Sequence, residues 1–278
     1  MLPTTHPIFW RDPALPFIEL RQVLDGRHVT YAPHSHQQWS IGAILTGASE
    51  FVCENRLHHV SQGHLVIMNP DKVHACNPQQ NSAWAYYMMH VDKKWLAQLL
   101  FETGVRAEPN WQDSHLDTLN MPLLYQGFVK LCKLLLSNNT VSTKQTQLND
   151  YFVALFNHLD CNSRTIEPTL LAPNALYQVA HYLNEHSLDD TSISSISEHF
   201  GFSTSYLVRA FKRHFNMTPH AYRLNRRIQL GQQALKKGQT IASIAYENGF
   251  SDQAHFQRVF KQRVAATPEQ YRRSIPLV

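Results

Sequence analysis

A chain of 278 residues, 43% of them apolar and with a formal net charge of +4, is long enough for two domains, each with a core of its own. No apolar run approaches the ~20 residues that cross a bilayer, and the opening MLPTTHPIFWRD lacks the basic flank and apolar core of a secretion signal. A cytoplasmic protein without a membrane partner is therefore expected, and Cys53, Cys76, Cys132 and Cys161, with no C-x-x-C pair, speak against a disulfide framework or a thiolate zinc site.

Up to Val91 the chain reads as short strands. Phe17–Leu24, Trp39–Leu45, Glu50–Cys53, Leu65–Met68 and Ala83–Val91 are rich in β-branched and aromatic residues. Asp25-Gly26, Thr46-Gly47 and Asn69-Pro70-Asp71 punctuate them. Closely spaced strands of this kind suggest a small barrel or jelly roll. The proline-bearing segment before Phe17 is open between an arm over a pocket and a loose tail. Along the last strand, alternation sets Trp84, Tyr86, Met88 and His90 on one face and Tyr87 and Met89 on the other. His34-Ser35-His36, Gly63 and the run Met68–His74 resemble the two motifs of the cupin barrel.

His34, His36 and His74 thus raise a metal site as one reading, since His-x-His puts both rings on one face of a strand. The glutamate that metal-binding cupins carry shortly afterwards is replaced here by Gln37-Gln38-Trp39-Ser40. The favoured expectation is therefore no metal and no cofactor, with the histidines bonded inside the barrel or touching an organic ligand. A cavity for a small molecule in the barrel suits these residues better.

After Asp92 the period changes. Trp95, Leu96, Leu99 and Leu100 predict a short helix. The leucines from Leu116 to Leu135 predict a longer one that Pro122 bends or breaks. Gln147–Leu159 predicts a third, and Cys161–Pro173, with two prolines and no period, reads as a linker. The expected layout is residues 1–160 as a sensor and dimer domain, 161–173 as linker and 174–278 as a helical domain, an α+β chain overall. Charge divides the same way. Residues 174–278 hold 13 Lys/Arg against 7 Asp/Glu, and residues 1–173 hold 12 against 14. The cationic half is the one suited to phosphates.

In that half, helices are predicted from Asn174 to about His186, from a Ser192 cap to Phe200, from a Ser203 cap over Thr204–Phe215, and from Thr218-Pro219 to about Lys237. Thr240 and Ser251 are expected to cap the next two, and Thr267-Pro268 with Gln270 forms a capping box. Ile196–Ser203 matches Ile244–Ser251 at an offset of 48, whereas Arg209, Phe211-Lys212, Thr218-Pro219 and Tyr222-Arg223 recur at 49. Such a repeat encodes two helix-turn-helix units in tandem. With Leu207, Phe211, Phe256 and Phe260 inward, the outward candidates for base edges are Thr204, Ser205, Val208 and Arg209 on one reader. On the other they are Asp252, Gln253, His255, Gln257 and Arg258. Lys212, Lys261 and Arg226 are the phosphate candidates.

On these motifs, residues 175–273 resemble the DNA-binding domain of the AraC/XylS family of bacterial transcription regulators. Ala265 departs from the family's usual glycine at the end of the second reader helix. The resemblance implies a cupin-like effector domain in the N-terminal half. It carries effector contacts onto Tyr86 and Met88, with Thr46 where an arabinose-responsive relative has arginine. The proposed effector set is His34, His36, Thr46, His74, Trp84, Tyr86, Met88 and His90. It further implies homodimerisation through helices in 115–160, double-stranded DNA as partner, RNA polymerase as a further candidate, nucleoid association when DNA-bound, and no catalytic residues. The rival readings are a metal-dependent cupin enzyme with an appended DNA module, and a regulator whose barrel only dimerises.

Overall fold

A computed structural model describes residues 7–79, 82–161 and 174–273. Most of the expected linker lies outside the described residues. The N-terminal half is built on nine strands: β1 (Ile8–Trp10), β2 (Ile18–Val23), β3 (Trp39–Thr46), β4 (Ala48–Cys53), β5 (Arg56–Ser61), β6 (Leu65–Met68), β7 (His74–Pro78), β8 (Ala85–Val91) and β9 (Thr118–Leu119). They form an antiparallel sheet ordered β1-β2-β8-β3-β6-β9 and a smaller sheet ordered β5-β4-β7. Within the proline-bearing start of the chain, Ile8–Trp10 forms a strand on the sheet edge.

The large sheet is covered on both faces, which is why its strands read as nearly continuous apolar runs. Ile41, Ala43, Ile67, Met89 and Val91 pack against helices α1 (Lys93–Glu102), α2 (Pro122–Leu135) and α3 (Val141–Cys161). Ile44, Val66, Met68, Trp84 and Tyr86 face the small sheet with Phe51 and Val60. The alternation expected along β8 holds: Tyr86 and Met88 turn to one core, Tyr87 and Met89 to the other.

Two expectations fail here for local reasons. The leucines from Leu116 do not share one helix, because Thr118–Leu119 pairs with β6 and Pro122 opens α2 at its first turn. Pro has no N–H to give a helix interior and holds the preceding residue extended, as Met121 is at φ −130° and ψ 109°. The third helix begins six residues early, at Val141, because Thr140 Oγ1 accepts the Thr143 N–H and starts the turn there.

The C-terminal half comprises α4 (Asn174–Glu185), α5 (Ile193–His199), α6 (Thr204–Phe215), α7 (Pro219–Lys236), α8 (Ile241–Glu247), α9 (Gln253–Val264) and α10 (Pro268–Arg272). Ser192, Ser203, Thr218, Thr240 and Thr267 cap as expected, and Thr267 with Gln270 closes the capping box. Ser251 does not cap. Asp252 does, its carboxylate accepting the His255 N–H at 2.6 Å. Ser203 therefore corresponds to Asp252 at an offset of 49, and the extra residue of the repeat is Ser251 in the turn.

Each unit has its own small core. Leu207 and Phe211 of α6 meet Leu176, Val179, Leu183 and Ile196 in the first. Phe256 and Phe260 of α9 meet Ile228, Ile244, Phe250 and Tyr271 in the second. The 18-residue α7 joins the units, about 27 Å at 1.5 Å rise per residue. Arg227, on α7, fixes their relation: it donates to Ser187 O at 2.6 Å and Asp189 O at 3.1 Å in the first unit, and to Gly249 O in the turn of the second.

Both readers end on a left-handed residue, Asn216 at φ 55° and Ala265 at φ 48°. An alanine there is strained by its Cβ, whereas glycine is not. Ala265→Gly is expected to raise unfolding stability by about 0.5–1 kcal/mol in a urea titration, the ~1–2 kcal/mol of left-handed strain relieved less the ~0.4–1 kcal/mol of chain entropy that glycine adds to the unfolded state. A loss of stability would mean that Ala265 is held by its packing instead.

Candidate functional site

The barrel and the helical domain meet around a cavity of about 110 Å³. Its walls come from β2 and β8, from the loop bearing His34 and His36, and from α7, α9 and α10. Of the expected effector residues, His34, His36, His74, Trp84, Tyr86, Met88 and His90 line it. Thr46 does not: it lies exposed at the end of β3, past a register shift between Ile44 and Thr46, and its place in the effector set is withdrawn.

The histidines form a connected group. Ring centroids lie 4.5 Å apart for His34–His74, and 4.8 Å apart for both His36–His74 and His36–His90. Nδ1 of His34, His36 and His74 sits 2.8–3.0 Å from the carbonyls of Ala32, Gln38 and Lys72. A carbonyl only accepts, so Nδ1 carries the proton and each Nε2 is left as an acceptor. Burial holds all four uncharged, with His34 lowered to about 3 and His74 and His90 well below the ordinary value. Among the described residues, no group of three or more His, Cys, Asp or Glu is arranged to hold a metal ion.

Sequence reasoning missed the polar residues that join the two halves. Glu19 and Arg21 alternate with Ile18 and Leu20 on β2, a pattern that reads as an ordinary solvated face. Instead that face meets the helical domain. Glu19 Oε2 accepts from Arg11 Nε at 2.7 Å, from Lys236 Nζ at 2.6 Å and from the Tyr271 hydroxyl at 3.2 Å. These partners hold its carboxyl well below the usual range against the opposing effect of burial. Asn225 and Gln229 of α7 donate to the backbone carbonyl of Ser35 at 3.1 and 2.9 Å.

The barrel also completes the end of the second reader. A helix leaves its last carbonyls without partners. At α9, Arg21 donates to Val264 O at 2.5 Å and to Ala265 O at 3.1 Å, and the Ala32 N–H donates to Gln262 O at 2.8 Å. A guanidinium at this end also opposes the helix dipole. Phe9 of β1 packs within the core of the second unit, 5.0 Å from the Tyr271 ring.

On the readers, Thr204, Ser205, Arg209, Asp252, Gln253 and Arg258 are exposed, and Val208, His255 and Gln257 are half-buried. Asp252 is engaged as the α9 cap, and His255 Nδ1 lies 3.0 Å from Ser251 Oγ. Lys212 and Lys261 are exposed. Arg226 is less free: its Nη1 donates to Gln229, on the side of α7 that meets the barrel.

Comparison with known proteins agrees with this geometry. The family described as AraC-like ligand binding domain matches residues 20–153, and that described as helix-turn-helix domain matches residues 196–274. An HTH-type transcriptional regulator of Bacillus subtilis (strain 168), YbfI, is 24% identical over 231 residues, covering 80% of each chain. One from Staphylococcus aureus (strain COL) is 27% identical over 241 residues, 86% of this chain but 32% of that longer protein. Among solved structures, apo ToxT from Vibrio cholerae superposes with a TM-score of 0.57 at 13% identity, covering 96% of this chain and 95% of that one. ToxT with an unsaturated fatty acid bound gives 0.55 at 14% identity, covering 96% and 93%. No helix of the described residues is long and apolar enough to cross a membrane. The chain belongs to the AraC family of transcription regulators, with an N-terminal ligand-binding domain and a C-terminal DNA-binding domain of two helix-turn-helix units.

Proposed function

We propose that the effector of this regulator binds in the cavity between the barrel and the helical domain, and that its occupancy sets the posture of the second reader. One observation carries this reading: the cavity is walled by Arg21, His36 and Tyr86 of the barrel and also by Arg263 of α9, the helix that displays Arg258 on its exposed face. The fatty acid held by the structurally similar ToxT supports a small-molecule effector for this chain too. The domains divide at the segment 161–173. Dimerisation runs through α2 and α3, where Leu123 is 80% exposed, a large apolar side chain suited to a partner surface. RNA polymerase is the downstream partner, and the protein acts in the cytoplasm on the nucleoid. No catalytic role is assigned to any residue.

Thr204, Ser205, Val208 and Arg209 face one DNA segment, and Gln253, His255, Gln257 and Arg258 the next, about 10 base pairs away in the following major groove. Asp252 contributes by capping α9, with its charge kept from the bases. Lys212 and Lys261 neutralise phosphates, and Arg226 does so less directly. Arg258→Ala is expected to flatten one position of the consensus selected from a random duplex pool and to weaken binding by about 1–3 kcal/mol, the worth of a bidentate base contact. Lys261→Ala should weaken all sequences alike and reduce the slope of log K against log salt by about 0.9. An unchanged Arg258→Ala consensus would remove that base contact. Failure of the intact protein to enrich any two-segment site would remove the reading as a whole.

A further inference from the structure

The charges around the cavity do not balance. Arg21, Lys236 and Arg263 line it, and Glu19 is the one carboxylate among the described lining residues. Glu19 is already saturated by Lys236, Arg11 and Tyr271. Arg21 and Arg263 are 4% and 8% exposed, and neither forms a salt bridge with a described residue. Nε of Arg21, Nε of Arg263 and Nε1 of Trp84 are all buried without a hydrogen-bond partner among the described residues. A buried donor left unpaired is destabilising. Against its burial Arg21 is partly compensated by Tyr31, Tyr86 and Glu19, which hold its pKa above the ordinary value, so the cation without a counter-charge is Arg263. Burial alone acts on Arg263, pulling its pKa below the ordinary arginine value with no carboxylate opposing it. The neighbouring histidines are held neutral and supply no negative charge.

We infer that the cavity takes a small organic acid whose carboxylate is held between Arg21 of the barrel and Arg263 of the second reader helix. The inference rests on the effector reading above and adds the class of ligand and the route of its effect. A carboxylate accepts from two guanidinium groups at once, and such charge-assisted bonds are the strong ones. Its body lies against Met68, Met88 and Trp84, the apolar part of the lining. At about 110 Å³ the space is smaller than the ~150 Å³ cavity that admits benzene, so the acid carries a body smaller than a ring, a chain of about three or four carbons. Arg263 lies five residues beyond Arg258 on α9, and Arg21 also holds the carbonyls that end α9. The acid therefore acts on the DNA reader directly, with no intermediate element.

The test uses the full chain and named probes: butanoate and pentanoate against their neutral amides and against sulfate, at one ionic strength, read by thermal unfolding. At tenfold over Kd, the acids are expected to raise the Tm of the intact protein by about 3 °C, with no comparable shift from the amides or sulfate. Arg263→Gln should abolish the shift and Arg263→Lys should keep part of it, each variant first shown folded by circular dichroism. Should Arg263→Gln not fold, Arg21→Gln takes its place with the same expectation. No shift with either acid, an equal shift with amide or sulfate, or a shift that survives Arg263→Gln would overturn the carboxylate clamp. Should the acids fail, the effector reading still stands if a neutral molecule from a wider metabolite screen raises the Tm of the intact protein, and it falls if neither acids nor neutral molecules do.

Discussion

Glu19→Ala is expected to lower unfolding stability by about 2–4 kcal/mol, because it leaves the Lys236 ammonium and the Arg11 guanidinium in a buried interface without their counter-charge. Breaking a fully buried pair is worth about 3–5 kcal/mol. The lower range applies because the Lys236 side chain keeps 34% of its surface in water, where its charge is partly screened. Tyr271 loses an acceptor as well, and its ring packs in the core of the second unit. The loss should therefore fall on the junction between the halves. Urea titration followed by circular dichroism measures it. In the double-mutant cycle Glu19→Gln with Lys236→Met, the two losses should not add, since with Lys236 gone the loss of Glu19 strands Arg11 alone. Additive losses would mean that the pair does not couple the domains.

The second large effect is acid sensitivity above the range where carboxylates titrate. His34, His36, His74 and His90 all have folded-state values lowered by burial, His34 to about 3. The unfolded chain therefore binds more protons below its own histidine value of ~6.5, so stability is complete above that pH and is lost as pH falls through it. One histidine kept neutral forfeits about 1 kcal/mol between pH 6.5 and 5.5. Arg21 and Arg263 add to the effect at His34 by repelling the imidazolium, while Glu19 opposes it at His36 and His90. His34 and His90 are only half-buried and border the cavity. The expected loss for the group is thus about 2–3 kcal/mol rather than about 4. Urea titrations at pH 6.5 and 5.5 test it, and His36→Asn with His74→Asn should remove about half of the difference. A pH-independent midpoint over this range would show that the cluster accepts protons without opening.

The readers were legible in the chain because the information that builds them is local. Caps, left-handed C-terminal residues and a 3.6-residue apolar stripe lie within a few positions of one another. Ser203, Thr218, Thr240 and Thr267 accordingly cap where the pattern put them. The one miss, Ser251 for Asp252, is a choice between adjacent good caps that hydrogen-bond geometry alone settles. The alternation along β8 was legible for the same reason, since a strand sends successive side chains to opposite faces.

The joint between the halves was not legible. Glu19 with Lys236, Arg21 with Val264 and Ser35 with Asn225 are separated by roughly 190 to 243 positions, and no periodicity relates residues so far apart. A charged face on β2 and an arginine on the apolar side of α9 look like solvated residues until the other half of the chain is laid against them. The order of residues thus settled the two tandem readers, their caps and the sheet-forming half, because each depends on neighbours along the backbone. Only three-dimensional packing decided that Thr46 stands outside the cavity, that α7 and α9 close it, and that Arg21 and Arg263 face it together. Burial and counter-charge are properties of the assembled surfaces, and no single segment carries them.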